Sequence, residues 1–177
     1  SEYEANFGRA ALETLLRGKI PDQIHQPGNL HKLLLQLPWR DVFTTNYDSL
    51  LERTILSEKA FHTVFNVQEL TRADSPRLIK LHGSFHGSTP LIFSDENYRT
   101  YPQDFAPFVN SVQQSLIENC FVLVGFSGDD PNFLAWTGWI RDNLKVHHRP
   151  IYLVGPLQLS PGRRQLLISR GVTPIDL

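Results

Sequence analysis

Phe121-Val122-Leu123-Val124-Gly125-Phe126-Ser127-Gly128-Asp129-Asp130-Pro131 sets the architecture. The first four residues are a short apolar run with no polar alternation. That is the pattern of a parallel strand buried on both faces. A polar, glycine-containing turn follows. Asp130 then suits a helix N-cap, where its carboxylate accepts from free backbone N–H groups. Pro131 suits the first helical position, where no N–H is needed. Phe133, Thr137, Ile140 and Leu144 share one face of the helix so begun.

The same alternation continues outward. Upstream, Phe108, Val112 and Leu116 repeat at helical spacing, Leu78-Ile79-Lys80-Leu81 and His62 to Val67 read as strands, and a helix starting near Asp48 carries Leu51 and Ile55 inward. Asp41-Val42-Phe43-Thr44-Thr45 is another strand. Before it, Leu30, Leu33, Leu34 and Leu37 lie on one helical face that Pro38 stops, and Trp39 is a packing anchor at that corner. An earlier helix covers Ala10 to Leu16. Downstream come a strand at Ile151-Tyr152-Leu153-Val154, a helix opened by Ser160-Pro161 and ended near Gly171, and a last strand from Val172 to Leu177. Strands alternating with helices predict an α/β domain, a Rossmann-like, mainly parallel sheet with helices on both faces. No linker or repeat divides residues 1–177, which read as one domain.

Chemistry collects where three of these strands end. Thr44-Thr45-Asn46-Tyr47-Asp48 follows one, His82-Gly83-Ser84 the second, and Gly125-Phe126-Ser127-Gly128-Asp129-Asp130 the third. Open α/β sheets bind ligands beyond the carboxyl ends of their strands. Each segment also has a plain structural reading. Asn46 and Asp48 favour turns and helix starts, His82 suits a turn, and the glycines permit tight bends. Their occurrence together at three strand ends argues for a site.

Bulk properties exclude several classes. Hydrophobic residues make up 41% and charged residues 20%, with a formal net charge of -1. The charge argues against a nucleic-acid surface, and Arg163-Arg164 reads as a solvated helix face. No apolar run approaches the roughly 20 residues of a membrane helix, and no secretory signal opens the chain. Cys120 is the single cysteine, so no intrachain disulfide and no cysteine-rich zinc site can form. A reducing, cytoplasmic location fits.

The motifs together resemble the sirtuins. Thr44-Thr45-Asn46-Tyr47-Asp48 is similar to their Thr-x-Asn-x-Asp segment, Leu81-His82-Gly83-Ser84 to their catalytic histidine segment, and Gly125-Phe126-Ser127 to their Gly-x-Ser turn. Asp130-Pro131-Asn132-Phe133 and Phe93-Ser94-Asp95-Glu96-Asn97-Tyr98 resemble the sirtuin-like domains of bacterial defence proteins. The resemblance runs from about Leu30 to the C-terminus.

It implies NAD as substrate and no resident metal. His82 is implied as general base on a ribose hydroxyl, and Asn46 as the residue that positions the ribose or the attacking water. Asp48, with Thr45 beside it, is implied at the nicotinamide amide. Gly125, Phe126 and Ser127 are implied at a ribose or phosphate. A histidine suits that relay, because its ordinary pKa lies near neutrality.

Two departures refine this expectation. The Gly-rich phosphate turn of a sirtuin Rossmann unit is not found upstream of Thr44, so residues 1–177 are expected to be part of a longer chain. The four-cysteine zinc module after the histidine is missing as well. The expected reaction is therefore NAD hydrolysis, as the effector domain of a larger defence protein that can self-associate, rather than NAD-dependent protein deacylation. A non-catalytic sensor of NAD or an NAD derivative is the main alternative. A serine hydrolase at Ser127 lacks the second glycine of the Gly-x-Ser-x-Gly elbow, where Asp129 stands. A metal site from Asp48, His82, Asp129 and Asp130 lacks a recognised ligand spacing.

Overall fold

The computed structural model describes residues 2–58, 61–87, 89–126 and 130–177, with nothing described of the side chains at 56–58. The chain divides into two compact units, Ser1–Tyr101 and Pro102–Leu177.

The first unit contains α1 (Glu2–Phe7), α2 (Arg9–Lys19), α3 (Asn29–Gln36), β1 (Asp41–Thr44), α4 (Leu50–Glu58), β2 (His62–Val64), α5 (Val67–Leu70) and β3 (Arg77–Lys80), and it ends within α6 (Asp95–Asp104). Its sheet has the order β1-β3-β2. Both pairings are parallel, with Thr44 opposite Lys80 and Val64 opposite Ile79. At the start of β1 and β3 a charged fork fixes this register. Arg77 Nε and Nη2 donate to Asp41 Oδ1 and Oδ2, each at 2.7 Å.

Leu35, Ile55, Phe61 and Leu78 form an apolar cluster, with Trp39, Val42 and Leu51 packed against it. Each such side chain, fully buried, contributes about 1.5–3 kcal/mol. The Trp39 indole N–H donates to Leu34 O at 2.7 Å, which anchors the corner between α3 and β1 as its sequence position predicts. The leucine periodicity locates α3, but packing selects Leu35 as its buried residue. Leu30, Leu33 and Leu37 are exposed. Eight residues make little more than two turns, and such a helix turns only a narrow stripe inward. The strand expected over His62 to Val67 is also shorter. Asn66 Oδ1 accepts from Glu69 N–H at 2.9 Å and starts α5 instead.

No residue of α2 is fully buried. Two arginines tie it to the segment that follows β3. Arg9 Nη1 donates to Asn97 Oδ1 at 2.8 Å, its guanidinium lies 3.8 Å over the Phe93 ring, and Nη2 bonds Leu91 O. Arg17 Nη1 donates to Phe85 O at 2.8 Å.

The second unit contains α7 (Ala106–Glu118), β4 (Phe121–Val124), α8 (Pro131–Leu144), a 3-10 turn (Lys145–His147), β5 (Ile151–Gly155), α9 (Pro161–Ser169) and β6 (Val172–Asp176). Its sheet has the order β4-β5-β6, again parallel. Phe108, Val112 and Leu116 are buried on α7, and Phe133, Thr137 and Ile140 on α8, the faces that the spacing predicts. Both expected N-caps form. Asp130 Oδ1 accepts from Phe133 N–H at 3.0 Å, and Ser160 Oγ from Arg163 N–H at 3.2 Å. The predicted parallel α/β class therefore holds in both units. Among the described residues no helix is long and apolar enough to cross a membrane.

Candidate active site

The in-register pairing of β1 with β3 makes two chemistry-bearing segments leave one sheet edge side by side. Two backbone bonds lace them together beyond the strands. Leu81 N–H donates to Thr44 O at 2.9 Å, and Phe85 N–H donates to Tyr47 O at 3.0 Å. Thr45-Asn46-Tyr47-Asp48 thus runs alongside Leu81-His82-Gly83-Ser84.

Asn46 is exposed, and its backbone N–H donates to Thr44 Oγ1 at 3.2 Å. Thr45 and Asp48 are half-buried. Asp48 has a structural task as well. Its Oδ1 accepts from Leu50 N–H at 3.1 Å and opens α4, the local role that aspartate favours.

His82 is 1% exposed. Two tyrosines from α6 meet its ring edge-on, Tyr98 at 5.4 Å and Tyr101 at 5.7 Å between centroids. The backbone around it is pinned on both sides. Tyr101 OH donates to Leu81 O at 2.9 Å, and Ile92 N–H donates to His82 O at 3.0 Å. Tyr47 OH donates to Ile92 O at 2.5 Å, which ties the Asn46 segment to the same loop. Gly83 takes a left-handed φ of 81°. Tyr98 ends the Phe93–Tyr98 segment of the family resemblance, whereas nothing in the sequence points to Tyr101, because α6 carries Pro102 and little apolar periodicity.

A second polar centre supports the start of α4. Asp22 accepts from Ser49 N–H and from Ser49 Oγ, both at 2.8 Å, and His86 Nε2 lies 2.7 Å from its Oδ2. Arg53 Nη2 stands 3.5 Å from its Oδ1. Burial, the largest single influence, pushes the Asp22 carboxyl up. The Ser49 backbone bond, the His86 bond, the Ser49 hydroxyl and the His86 charge together outweigh it, and the group titrates below its ordinary value of 3.8. A carboxylate depressed in the folded state contributes stability that is present above its ordinary pKa and lost as pH falls through the folded one. We expect parent protein to lose stability on acidification below roughly pH 4. The Asp22→Asn variant, less stable at neutral pH, loses less over that interval. Thermal melts of both between pH 7 and pH 3 check this, and parallel curves refute it.

In the second unit, Gly125 follows β4 with φ 63°, and among the described residues nothing lies within 4 Å of the place a Cβ would take. The Phe126 ring meets Phe133 of α8 edge-on, 5.1 Å between centroids. Ser127, with Gly128 and Asp129, lies outside the described residues. Among the described residues no cluster of three or more histidine, cysteine or acidic side chains is placed to hold a metal ion.

Comparison with known proteins gives consistent relatives. The SIR2-like domain model matches residues 40–175. An NAD(+) hydrolase ThsA of Acinetobacter baumannii is 30% identical over 154 residues, which is 84% of this chain and 32% of that protein. The Bacillus cereus protein of the same name is 30% identical over 136 residues, 75% of this chain and 28% of that protein. Defense-associated sirtuin 2 of Bacillus subtilis is 25% identical over 179 residues, 96% of this chain and 17% of that protein. The chain thus spans about a third or less of the length of these curated relatives.

Proposed function

The chain belongs to the SIR2-like domain family, and from that premise we propose that it cleaves NAD by hydrolysis at the nicotinamide–ribose bond. The observation that carries the reading is the lacing of Thr44–Asp48 to Leu81–Phe85 at one sheet edge. It sets an exposed amide, a carboxylate and an imidazole on adjacent segments, as a ribose-directed reaction requires. The names of the ThsA relatives support the same substrate.

The chemistry assigned to each residue follows from its group. The C1′–N bond of the nicotinamide ribose breaks through an oxocarbenium-like state. Nicotinamide leaves as a neutral molecule, so no strong general acid is needed. Water adds to C1′ and gives up its proton, and the products are nicotinamide and ADP-ribose. His82 accepts a ribose hydroxyl proton as that charge develops. Asn46 positions the ribose or the attacking water. Asp48 and its neighbour Thr45 meet the nicotinamide amide. Gly125, Phe126 and Ser127 are assigned to a ribose or phosphate on the family resemblance. Support for that assignment is the left-handed φ of Gly125 and the start of α8 close by, since helix N-termini favour anions.

A second reading has one observation in its favour. His82 is sealed from solvent, which suits a domain that binds NAD or a derivative without turning it over. The two separate in one experiment on the full-length protein, with nicotinamide release followed by chromatography and NAD binding by calorimetry. Release with formation of ADP-ribose supports hydrolysis. Binding without release supports the sensor, and neither refutes both. The name of the Bacillus subtilis relative places that protein in defence, and we extend the setting to this chain, acting on cytoplasmic NAD.

A further inference from the structure

Lys80 is the last residue of β3 and is 1% exposed. Its neighbours Leu78, Ile79 and Leu81 are buried apolar residues. A lysine there needs an account, because taking an ammonium group out of water costs several kcal/mol. Two oxygens receive it. Lys80 Nζ donates to the backbone carbonyl of Asp48 at 2.6 Å. It also stands 2.9 Å from Oε1 of Glu52, in the first turn of α4, whose side chain is 10% exposed. Neither Glu52 oxygen has a well-aligned hydrogen-bond partner among the described residues. Its contact with Lys80 is an ion pair, and it balances the buried charge.

Stability does not explain this arrangement. Buried ion pairs are often replaced by apolar residues of similar volume at no cost, whereas removing one partner alone is strongly destabilising. What an apolar residue cannot do is hold a carbonyl. Asp48 is fixed twice, at its carboxylate by Leu50 N–H and at its carbonyl by Lys80. Thr44 and Lys80 are register partners, so the lysine reaches from the end of one strand to the turn beyond its neighbour.

We propose that Lys80 is a positioning residue, which sets the Asn46–Asp48 turn against His82 through the Asp48 carbonyl, with Glu52 as its charge partner. The proposal rests on the NAD-cleavage reading for its effect on rate, but not for its effect on the turn.

Lys80→Met alone leaves the Glu52 charge buried and unmatched. The test therefore uses the double variant Lys80→Met/Glu52→Leu beside the parent, both as full-length protein. Melting temperature, nicotinamide release from NAD and amide hydrogen exchange across residues 46–50 are measured. We expect the double variant to melt within about 5 °C of the parent. Its kcat falls at least about tenfold while KM stays within about threefold, as misplacement of a reacting group predicts. Exchange at Tyr47 to Leu50 accelerates at least about tenfold, as loss of a local restraint predicts. Unchanged exchange and unchanged kcat in a folded double variant overturn the proposal. A kcat that falls only with the folded fraction overturns it too, as does a double variant too unfolded to assay, because the pair then holds the fold and not the turn. A parent that releases no nicotinamide defeats the NAD-cleavage reading, and the exchange result then decides the role of Lys80.

Discussion

His82→Ala and Asn46→Ala each lower nicotinamide release from NAD by at least about 100-fold, the scale on which a positioned proton-transfer group contributes. On the proposed mechanism the two fail for different reasons. Without the imidazole, no group takes the ribose hydroxyl proton as positive charge builds at C1′. Without the Asn46 amide, the ribose or the water is no longer held in line. Their effects on folding differ as well. Asn46 is exposed, so its removal leaves the melting temperature close to that of the parent. His82 is enclosed by Tyr98 and Tyr101, and its truncation opens a cavity, so that variant must be assayed well below its melting temperature. The measurement is initial nicotinamide release by full-length protein under saturating NAD, with circular dichroism to show that each variant is folded. Turnover unchanged in both folded variants removes the mechanism.

Gly83→Ala destabilises the protein by about 2–5 kcal/mol. Left-handed backbone costs an L-residue about 1–2 kcal/mol, and Gly83 has φ 81°. Overlap in a packed site adds about 1–3 kcal/mol. A Cβ at this position stands 2.8 Å from Pro90 O and 3.3 Å from Leu91 Cα, and these are backbone atoms with little freedom to retreat. The loop they belong to is held by Ile92 N–H on His82 O and by Arg9 on Leu91 O. Any retreat therefore disturbs the histidine itself. For a chain of this size the loss corresponds to a fall of roughly 5–15 °C in melting temperature. Gly125→Ala is the internal control. It shares the left-handed φ, but no described residue stands where the methyl would go, so the backbone cost of about 1–2 kcal/mol is the one expected. Equal melting temperatures for the two variants contradict the steric account.

Elements with strong periodicity or clear caps were legible in the sequence. The apolar runs at Val42, Leu78, Leu123 and Leu153 are strands in parallel pairs, and Asp130-Pro131 and Ser160-Pro161 open helices as their chemistry requires. α6 was not legible. Asp95–Asp104 is polar and contains Pro102, and its value lies in two tyrosines whose neighbour is 16 to 19 residues away in sequence. Lys80 leaves a trace in the sequence, a lone charge inside Leu78-Ile79-Lys80-Leu81. A cation in a buried strand implies a partner, but which partner is a matter of distance in space. The same holds for Asp22, the acceptor at the head of α4, whose partner Ser49 lies 27 residues away in sequence.

The sequence by itself determined the parallel α/β class, and it pointed to the segments proposed to carry the chemistry, Thr44–Asp48, Leu81–Ser84 and Gly125–Asp130. These are consequences of local pattern, of apolar runs, caps and turn residues acting over a few positions. Only the tertiary structure decided that β1 and β3 pair in register, and therefore that Asn46 and Asp48 lie beside His82. It alone decided that His82 is enclosed by tyrosines and that Lys80 donates to the Asp48 carbonyl. Those facts depend on which strands become neighbours and on which side chains fill the space between elements. Pairing and packing are settled by the whole chain at once, and no local window of residues contains them.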